Sequence, residues 1–425
     1  MKRILLFLNV LLISIAFAQQ KPIIDTAQIV VPNRVNSQEA LSKPYVILIS
    51  TDGYRSDYTE KYQAQNIKSI GSAGVAAKAM LPSFPSITFP NHWSIITGLY
   101  PSHHGIVDNF FYDVKNEESF AMSNPNNAEN SFFYGGNPLW SLAESQGVLS
   151  ASLQWVGSAT DAGGYRPTYY YRYHEKFTPT EKVKKVINWL KLPEEQRPHF
   201  ISLYFPEVDA AGHHFGPNAQ QTKEAVGMVD NAIGQLLGDI KKLNLENIQI
   251  VFVSDHGMID VNKDQPLEIP KILLNKDLFR VFNAQTLLRV QVKNKKDIKP
   301  TFKHLKKTKT KDYEVFLTKR FPKKLHYGIK DDVFDRIGDI ILVPYQPNIF
   351  LEKGRKTTSG KHGYDVNVVP ELKAVFYAEG SMFKQNLEID EFRNVNVYPL
   401  IAHLLGLKIQ HKIDGDFKVL KPILK

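Results

Sequence analysis

Three short apolar runs in this chain each end in a carboxylate or an imidazole, and that recurrence constrains the fold more than any other feature. YVILIS (45–50) leads into Thr51-Asp52-Gly53, FISLYF (200–205) into Pro206-Glu207-Val208-Asp209, and IQIVFVS (248–254) into Asp255-His256-Gly257. Continuous Val/Ile/Leu/Phe runs, apolar on both faces, suit parallel strands covered by helices on either side. In such sheets ligands gather at the carboxyl ends of the strands, where the loops diverge. Segments 180–191, 220–243 and 394–406 carry apolar positions near helical spacing, as in Ala225, Met228, Val229, Ile233 and Leu236. Pro399 falls in the first turns of the last segment and fits a later start. The alternation predicts βαβ units and a doubly wound, mostly parallel sheet.

The region from about 264 to 358 reads differently. LLRVQVK, YEVFLTK and DIILVPY have the composition of strands and are separated by lysine-rich turns, which predicts a small α/β insertion, with the main fold resuming near His362. The formal net charge of +10 is concentrated here: between Lys276 and Lys324 there are 16 basic and 4 acidic residues. No nucleic-acid motif accompanies these lysines and aromatic residues are sparse among them, so a solvated face is expected and no specific nucleic-acid partner. Asn-rich 124–130 reads as a surface loop.

The chain begins with Lys2 and Arg3, an apolar run over 4–17 broken only by Asn9 and Ser14, and Ala16-Phe17-Ala18 before the polar Gln19-Gln20-Lys21. A charged start, a run too short to span a bilayer and an A-x-A end read as a signal peptide over 1–18, cleaved near Ala18-Gln19. The expectation is a periplasmic or secreted protein with no transmembrane segment in its mature chain. There are no cysteines, which excludes disulfides, thiolate ligands and cysteine nucleophiles.

Any metal site must therefore use oxygen and imidazole ligands. Asp209 and His213 stand four residues apart and converge if a helical turn follows the strand. Asp255-His256 forms a second pair, while Asp52 and His362 lie in glycine-flanked turns. Three carboxylates and three imidazoles suit zinc, ahead of iron, manganese or cobalt. The segment SFPSITFPNH (83–92) leads into an apparent helix over 93–97, and a hydroxyl there has two readings: an N-cap or a nucleophile.

TDGYR (51–55), FPSITFPNHWSIITGLYPSHHGIVDNFFYD (84–113), VDAAGHHFGP (208–217), SDHGM (254–258) and GKHGYD (360–365) together resemble the nucleotide pyrophosphatase/phosphodiesterase family of the alkaline phosphatase superfamily. The resemblance implies an alkaline-phosphatase-like α/β sandwich holding two zinc ions. Asp209, His213 and His362 would ligate one zinc, and Asp52, Asp255, His256 and Thr88 the other. It makes Thr88 the nucleophile of an in-line displacement through a phospho-threonine intermediate. Asn109 becomes the donor to a nonbridging phosphoryl oxygen. His213 rather than His214 fits the D-x-x-G-H pattern, leaving His214 as a loop residue. His92 is expected to orient the nucleophile loop, and His103-His104 to finish a helix or pack beneath the site.

Trp155-Val156-Gly157-Ser158 stands where this family carries a W-P-G-S-like motif rather than the cationic cluster of monoesterases, which favours diesters; Val156 departs from the usual proline. The resemblance makes Phe89 and Tyr204 the aromatic walls for a nucleotide base, with Tyr170 of RPTYYYRYH (166–174) as a further wall. The substrate implied is a small nucleotide or other phosphodiester. A choline-phosphate diesterase is the nearest rival, with Tyr169, Tyr170, Tyr171 and Tyr173 as a cage for a quaternary ammonium. A non-catalytic, metal-stabilised surface-binding protein is the alternative of a different class.

Overall fold

A computed structural model describes residues 26–425, so the expected signal peptide lies outside the described residues. No helix among them is long and apolar enough to cross a membrane. Nine strands build the central sheet: β1 (Ile29–Val30), β2 (Tyr45–Thr51), β3 (Val75–Ala77), β4 (Ser150–Leu153), β5 (Tyr169–Tyr171), β6 (Phe200–Phe205), β7 (Ile248–Val253), β8 (Phe376–Gly380) and β9 (Leu387–Ile389). Their spatial order is β1-β5-β4-β6-β2-β7-β8-β3-β9. The five strands from β5 to β7 run parallel, whereas β1 and β8 are antiparallel to their neighbours. Ser50 lies opposite both Tyr204 and Val253, so β2, β6 and β7 end at one level.

The apolar runs feed two cores, as expected for a sheet covered on both faces. Val46 and Leu48 turn toward Trp93, Ile96, Trp140 and Ile401, while Ile47 and Ile49 turn toward Ile67, Val186, Val229 and Ile233. Each such side chain taken fully from water contributes roughly 1.5–3 kcal/mol. The expected helices form over Pro179–Leu190, Gln220–Lys242 and Val397–Leu404. Met228, read as part of the apolar stripe, is 52% exposed; Val229 and Ile233 carry that face instead. A 3-10 turn, Asn394–Asn396, precedes the last helix. Pro399 is its third residue, where an amide N–H would have no intrahelical acceptor.

In the insertion, strands Phe279–Asn283, Leu288–Val292, Tyr313–Leu317 and Ile340–Pro344 form an antiparallel sheet packed on the helix Ile298–Thr308 through Leu305. Lys295, Lys296, Lys303, Lys306, Lys307 and Lys311 are exposed, as a solvated face requires. Arg289 and Arg336 depart from that pattern and are buried. The Asn-rich segment contains one exposed helical turn, Pro125–Ala128, capped by the Asn124 side chain, where a plain loop was expected.

Candidate active site

The fold brings all six expected ligands to the carboxyl end of the parallel strands. Asp52 follows β2, and Asp255 and His256 follow β7. Asp209 and His213 lie one turn apart on the helix Glu207–Phe215, and His362 follows the short strand Gly360–Lys361. Gly53 makes the convergence possible. Its φ is +66°, and a Cβ there would stand 2.9 Å from the Asp209 Cα and 3.0 Å from the Asp209 Oδ1.

The three histidines are oriented alike. Nδ1 of His213 donates to the Gly360 carbonyl (2.8 Å), Nδ1 of His362 to the Ser86 carbonyl (2.8 Å) and Nδ1 of His256 to the Gly257 carbonyl (2.9 Å). Each imidazole thus turns Nε2 inward as a lone pair, the arrangement of metal-bound histidine. Nε2 of His213 lies 3.0 Å from Nε2 of His362, where two lone pairs repel each other unless a cation lies between them. Asp52 Oδ1 and Asp209 Oδ1 are buried without a hydrogen-bond donor.

The electrostatics set carboxylates and imidazoles against one another: burial acts to lower His256, but Asp255 outweighs it and raises that imidazole. Burial, then the charges of Asp255 and Asp209, pushes the Asp52 carboxyl well above its ordinary range. Burial, then the neighbouring His256 and His213, pushes His362 well below the imidazole range. Burial also raises Asp255, but His256 and His92 outweigh it and hold that carboxyl well down. Buried carboxylates facing imidazole lone pairs have the donor chemistry of a divalent-cation site.

Among the described residues, two clusters have ligand atoms within 4.8 Å of one another: Asp209 with His256 and His362, and Asp52 with His92 and Asp255. His92 is already satisfied by the protein. Its Nε2 faces the Ser50 hydroxyl (2.9 Å), and its Nδ1 faces the Thr88 carbonyl (3.1 Å) and Asp255 Oδ2 (3.3 Å). It therefore orients a carboxylate and the Thr88 loop rather than offering a free lone pair. His256 Nε2, at 3.0 Å from Asp255 Oδ2 and 3.5 Å from Asp52 Oδ1, is the better third donor on that side. His213 Nε2, 3.5 Å from Asp209 Oδ2, completes the other group.

Thr88 is the first residue of the helix Thr88–Thr97. Ile87 occupies the N-cap, and no side chain caps this helix. Freed of capping, the Thr88 hydroxyl lies 3.2 Å from His256 Nε2. Asn109 Oδ1 accepts the Phe89 N–H at 3.0 Å, which fixes the amide beside Thr88. Phe89 is half-buried, its ring centroid 5.9 Å from that of Phe120.

The aromatic walls differ from expectation. Tyr204 is 6% exposed, its ring packs edge-on to His92 at 5.0 Å, and its hydroxyl donates to Asp52 Oδ2 at 2.5 Å. It supports a ligand and has no open face for a base. Tyr170 is 6% exposed within β5, because strand pairing on both sides encloses it. Tyr169 and Tyr171 are each 7% exposed, so these three tyrosines form no open cage. Tyr173 is the accessible ring: it is 55% exposed, its centroid is 6.3 Å from that of Tyr204, and the charges of Glu175, Asp52, Glu207 and Asp209 reach its hydroxyl.

Among the other histidines, His214 is exposed on the last turn of the Asp209 helix rather than in a loop. His103 and His104 finish the helix Pro101–His104; His103 pairs with Asp414, and buried His104 bonds the Ser94 hydroxyl at 3.0 Å. Lys361, which the sequence reading passed over, adjoins His362. Its ammonium donates to the Thr358 hydroxyl at 2.8 Å, and burial lowers its pKa while Asp209 acts to raise it.

The type I phosphodiesterase / nucleotide pyrophosphatase family model matches residues 46–365. Venom phosphodiesterase 2 of Crotalus adamanteus is 34% identical over 373 residues, covering 85% of this chain and 45% of that protein. Ectonucleotide pyrophosphatase/phosphodiesterase family member 1 of Homo sapiens is 33% identical over 378 residues, covering 86% of this chain and 40% of that protein. The chain thus spans less than half the length of these two relatives. An inactive threonine-to-alanine variant of murine ectonucleotide pyrophosphatase / phosphodiesterase 5, solved in complex with AMP, superposes with a TM-score of 0.82 at 26% identity, covering 90% of this chain and 100% of that one. The α/β sandwich is therefore alkaline-phosphatase-like, and the chain belongs to the type I phosphodiesterase / nucleotide pyrophosphatase family.

Proposed function

We propose that this protein is an exported two-zinc phosphodiesterase that cleaves phosphodiester and pyrophosphate bonds of nucleotides and releases nucleoside monophosphate. The observation that carries this reading is the Thr88 hydroxyl, not engaged in capping and 3.2 Å from His256 Nε2, at a helix start beside carboxylates that lack donors. One zinc would be held by Asp52, Thr88, Asp255 and His256, and the other by Asp209, His213 and His362. Bound there, the two ions would favour the threonine alkoxide, neutralise charge on a nonbridging oxygen and stabilise the leaving oxygen.

The residues do the rest. The Thr88 oxygen bonds to phosphorus as the bond to the leaving group breaks, the leaving oxygen takes the electron pair, and the hydroxyl proton passes to solvent. Water then attacks the phospho-threonine, the Oγ–P bond breaks, and nucleoside monophosphate leaves. The Asn109 amide, its carbonyl oxygen occupied by the Phe89 N–H, turns its NH2 toward a nonbridging oxygen. The N-terminus of the Thr88 helix adds a fixed positive dipole.

Several observations support nucleotides as substrates. Relatives carry the names venom phosphodiesterase and ectonucleotide pyrophosphatase/phosphodiesterase, and the threonine-to-alanine murine neighbour binds AMP. Phe89 and Tyr173 are the aromatic faces left open for a base. Lys361 supplies a cation for the phosphates of a pyrophosphate-type leaving group. Export rests on the signal-like segment over 1–18.

A kinetic panel on one zinc-replete preparation tests the reading, using a nucleotide diester, a dinucleotide polyphosphate, a choline-phosphate ester and a phosphate monoester. The first two should turn over fastest. Turnover confined to the choline ester would move the protein to the choline-phosphate diesterases, and metal binding with no turnover of any ester would make it a surface-binding protein.

A further inference from the structure

The four-stranded insertion touches the site at two points on one short stretch of chain. Thr286 Oγ1 donates to the carbonyl of His362 at 2.8 Å. Three residues on, Arg289 is fully buried, and its Nε and Nη2 lie 3.1 and 3.0 Å from Asp108 Oδ2. The same Nη2 donates to the Phe110 carbonyl at 2.6 Å, and Nη1 to the Arg336 carbonyl at 3.0 Å. Asp108 in turn accepts the Asn109 N–H on Oδ1 at 2.7 Å. Tyr327, between the insertion strands Tyr313–Leu317 and Ile340–Pro344, donates its hydroxyl to the Val107 carbonyl at 2.8 Å.

Asn109 is therefore gripped on both sides, and its own Oδ1 meets the N–H of the residue after Thr88. We propose that Arg289 is a positioning residue that fixes Asn109 against the phosphoryl group, making the insertion a splint between Asn109 and His362. The inference rests on the role given above to Asn109. A buried guanidinium is a costly way to dock two layers, since an apolar contact of similar volume stabilises as well or better. Docking is in any case supplied elsewhere: Arg336, 1% exposed, donates to Asp113 Oδ2 at 3.0 and 2.8 Å and to the Phe133 carbonyl at 2.7 Å. The Arg289 side chain differs in that, besides the Arg336 carbonyl, it holds Asp108 and Phe110, the immediate neighbours of Asn109. What it supplies is direction, to which in-line chemistry is sensitive at the scale of about 1 Å.

A double-mutant cycle on the zinc-loaded full chain tests this, with Arg289→Met, Asn109→Ala, the double variant and Arg336→Met assayed on a nucleotide diester. Arg289→Met should lower kcat by about tenfold or more with zinc content and KM little changed. The double variant should be no more than about twofold slower than Asn109→Ala alone, because both changes remove one interaction. Arg336→Met should lower Tm yet keep kcat within about twofold. Losses that multiply in the double variant, or a wild-type kcat in Arg289→Met, would overturn the proposal. Should Arg289→Met fail to fold, Arg289→Lys enters the same cycle under the same criterion. A wild-type protein that turns over no diester would instead overturn the functional reading before any variant is compared.

Discussion

The Tyr204 hydroxyl donates to Oδ2 of Asp52 across 2.5 Å, leaving Oδ1 of the same carboxylate turned inward without a donor. One oxygen is anchored by the protein and the other is offered to the site. Groups that orient ligands in this way affect metal affinity or activity by about 10–100-fold. Tyr204→Phe should therefore weaken zinc retention or lower kcat by about tenfold, with KM for nucleotide and choline esters shifted alike. Metal analysis after dialysis together with steady-state kinetics checks this; a rise in KM for the nucleotide alone would return Tyr204 to the base pocket.

Lys361 should act on the leaving group. Lys361 precedes His362 in the chain, its ammonium is held by the Thr358 hydroxyl, and burial lowers its pKa while the Asp209 charge acts to raise it. Lys361→Met should raise KM for a dinucleotide polyphosphate by about tenfold and leave an uncharged aryl leaving group nearly unaffected. Equal effects on both substrates would count against it.

A second titrating pair lies at the helix Pro101–His104. His103 Nδ1 donates to Asp414 Oδ2 at 2.7 Å, with Asp331 4.0 Å from Nε2 and Lys412 also acting on the ring. The Asp414 hydrogen bond, against burial, raises the His103 pKa; burial acts to raise Asp414, but the His103 hydrogen bond holds it down. The raised histidine contributes stability that is whole below about pH 6.5 and fades as pH rises through its folded value. The depressed carboxyl contributes stability present above about pH 3.9 and lost as pH falls through its own folded value. His103→Gln should thus cost about 1 kcal/mol or less, most between about pH 4 and 6.5, with the difference shrinking in alkali. Thermal unfolding across that range measures it, and a pH-independent difference would contradict the assignment.

The convergence of Asp52, Asp209, Asp255 and His256 is legible in the sequence because the three apolar runs before them are buried on both faces and end at one edge; His362 follows the two-residue strand Gly360–Lys361, which no apolar run announces. Local sequence leaves Thr88 open, since a hydroxyl at a helix start serves equally as a cap; Ile87 at the N-cap removes the capping reading, and the nucleophile role is the one proposed above. Tyr204 was misread because strand alternation, invisible in a run apolar throughout, turns its ring toward His92 and its hydroxyl toward Asp52. Arg289 stood among surface lysines in a basic stretch, and nothing local marks which cation is drawn inside by a distant carboxylate. The antiparallel strand Phe376–Gly380 was missed too, where polar Glu379 and Gly380 end a short apolar run.

In the reaction proposed above, Thr88 carries the phosphoryl group. The most direct measurement is mass spectrometry of acid-quenched enzyme during turnover of a nucleotide diester, run beside Thr88→Ala with zinc content determined on both. The peptide bearing Thr88 should gain the mass of a nucleoside monophosphate less water, and Thr88→Ala should keep its zinc largely in place while losing turnover. Undiminished turnover by Thr88→Ala would contradict the account.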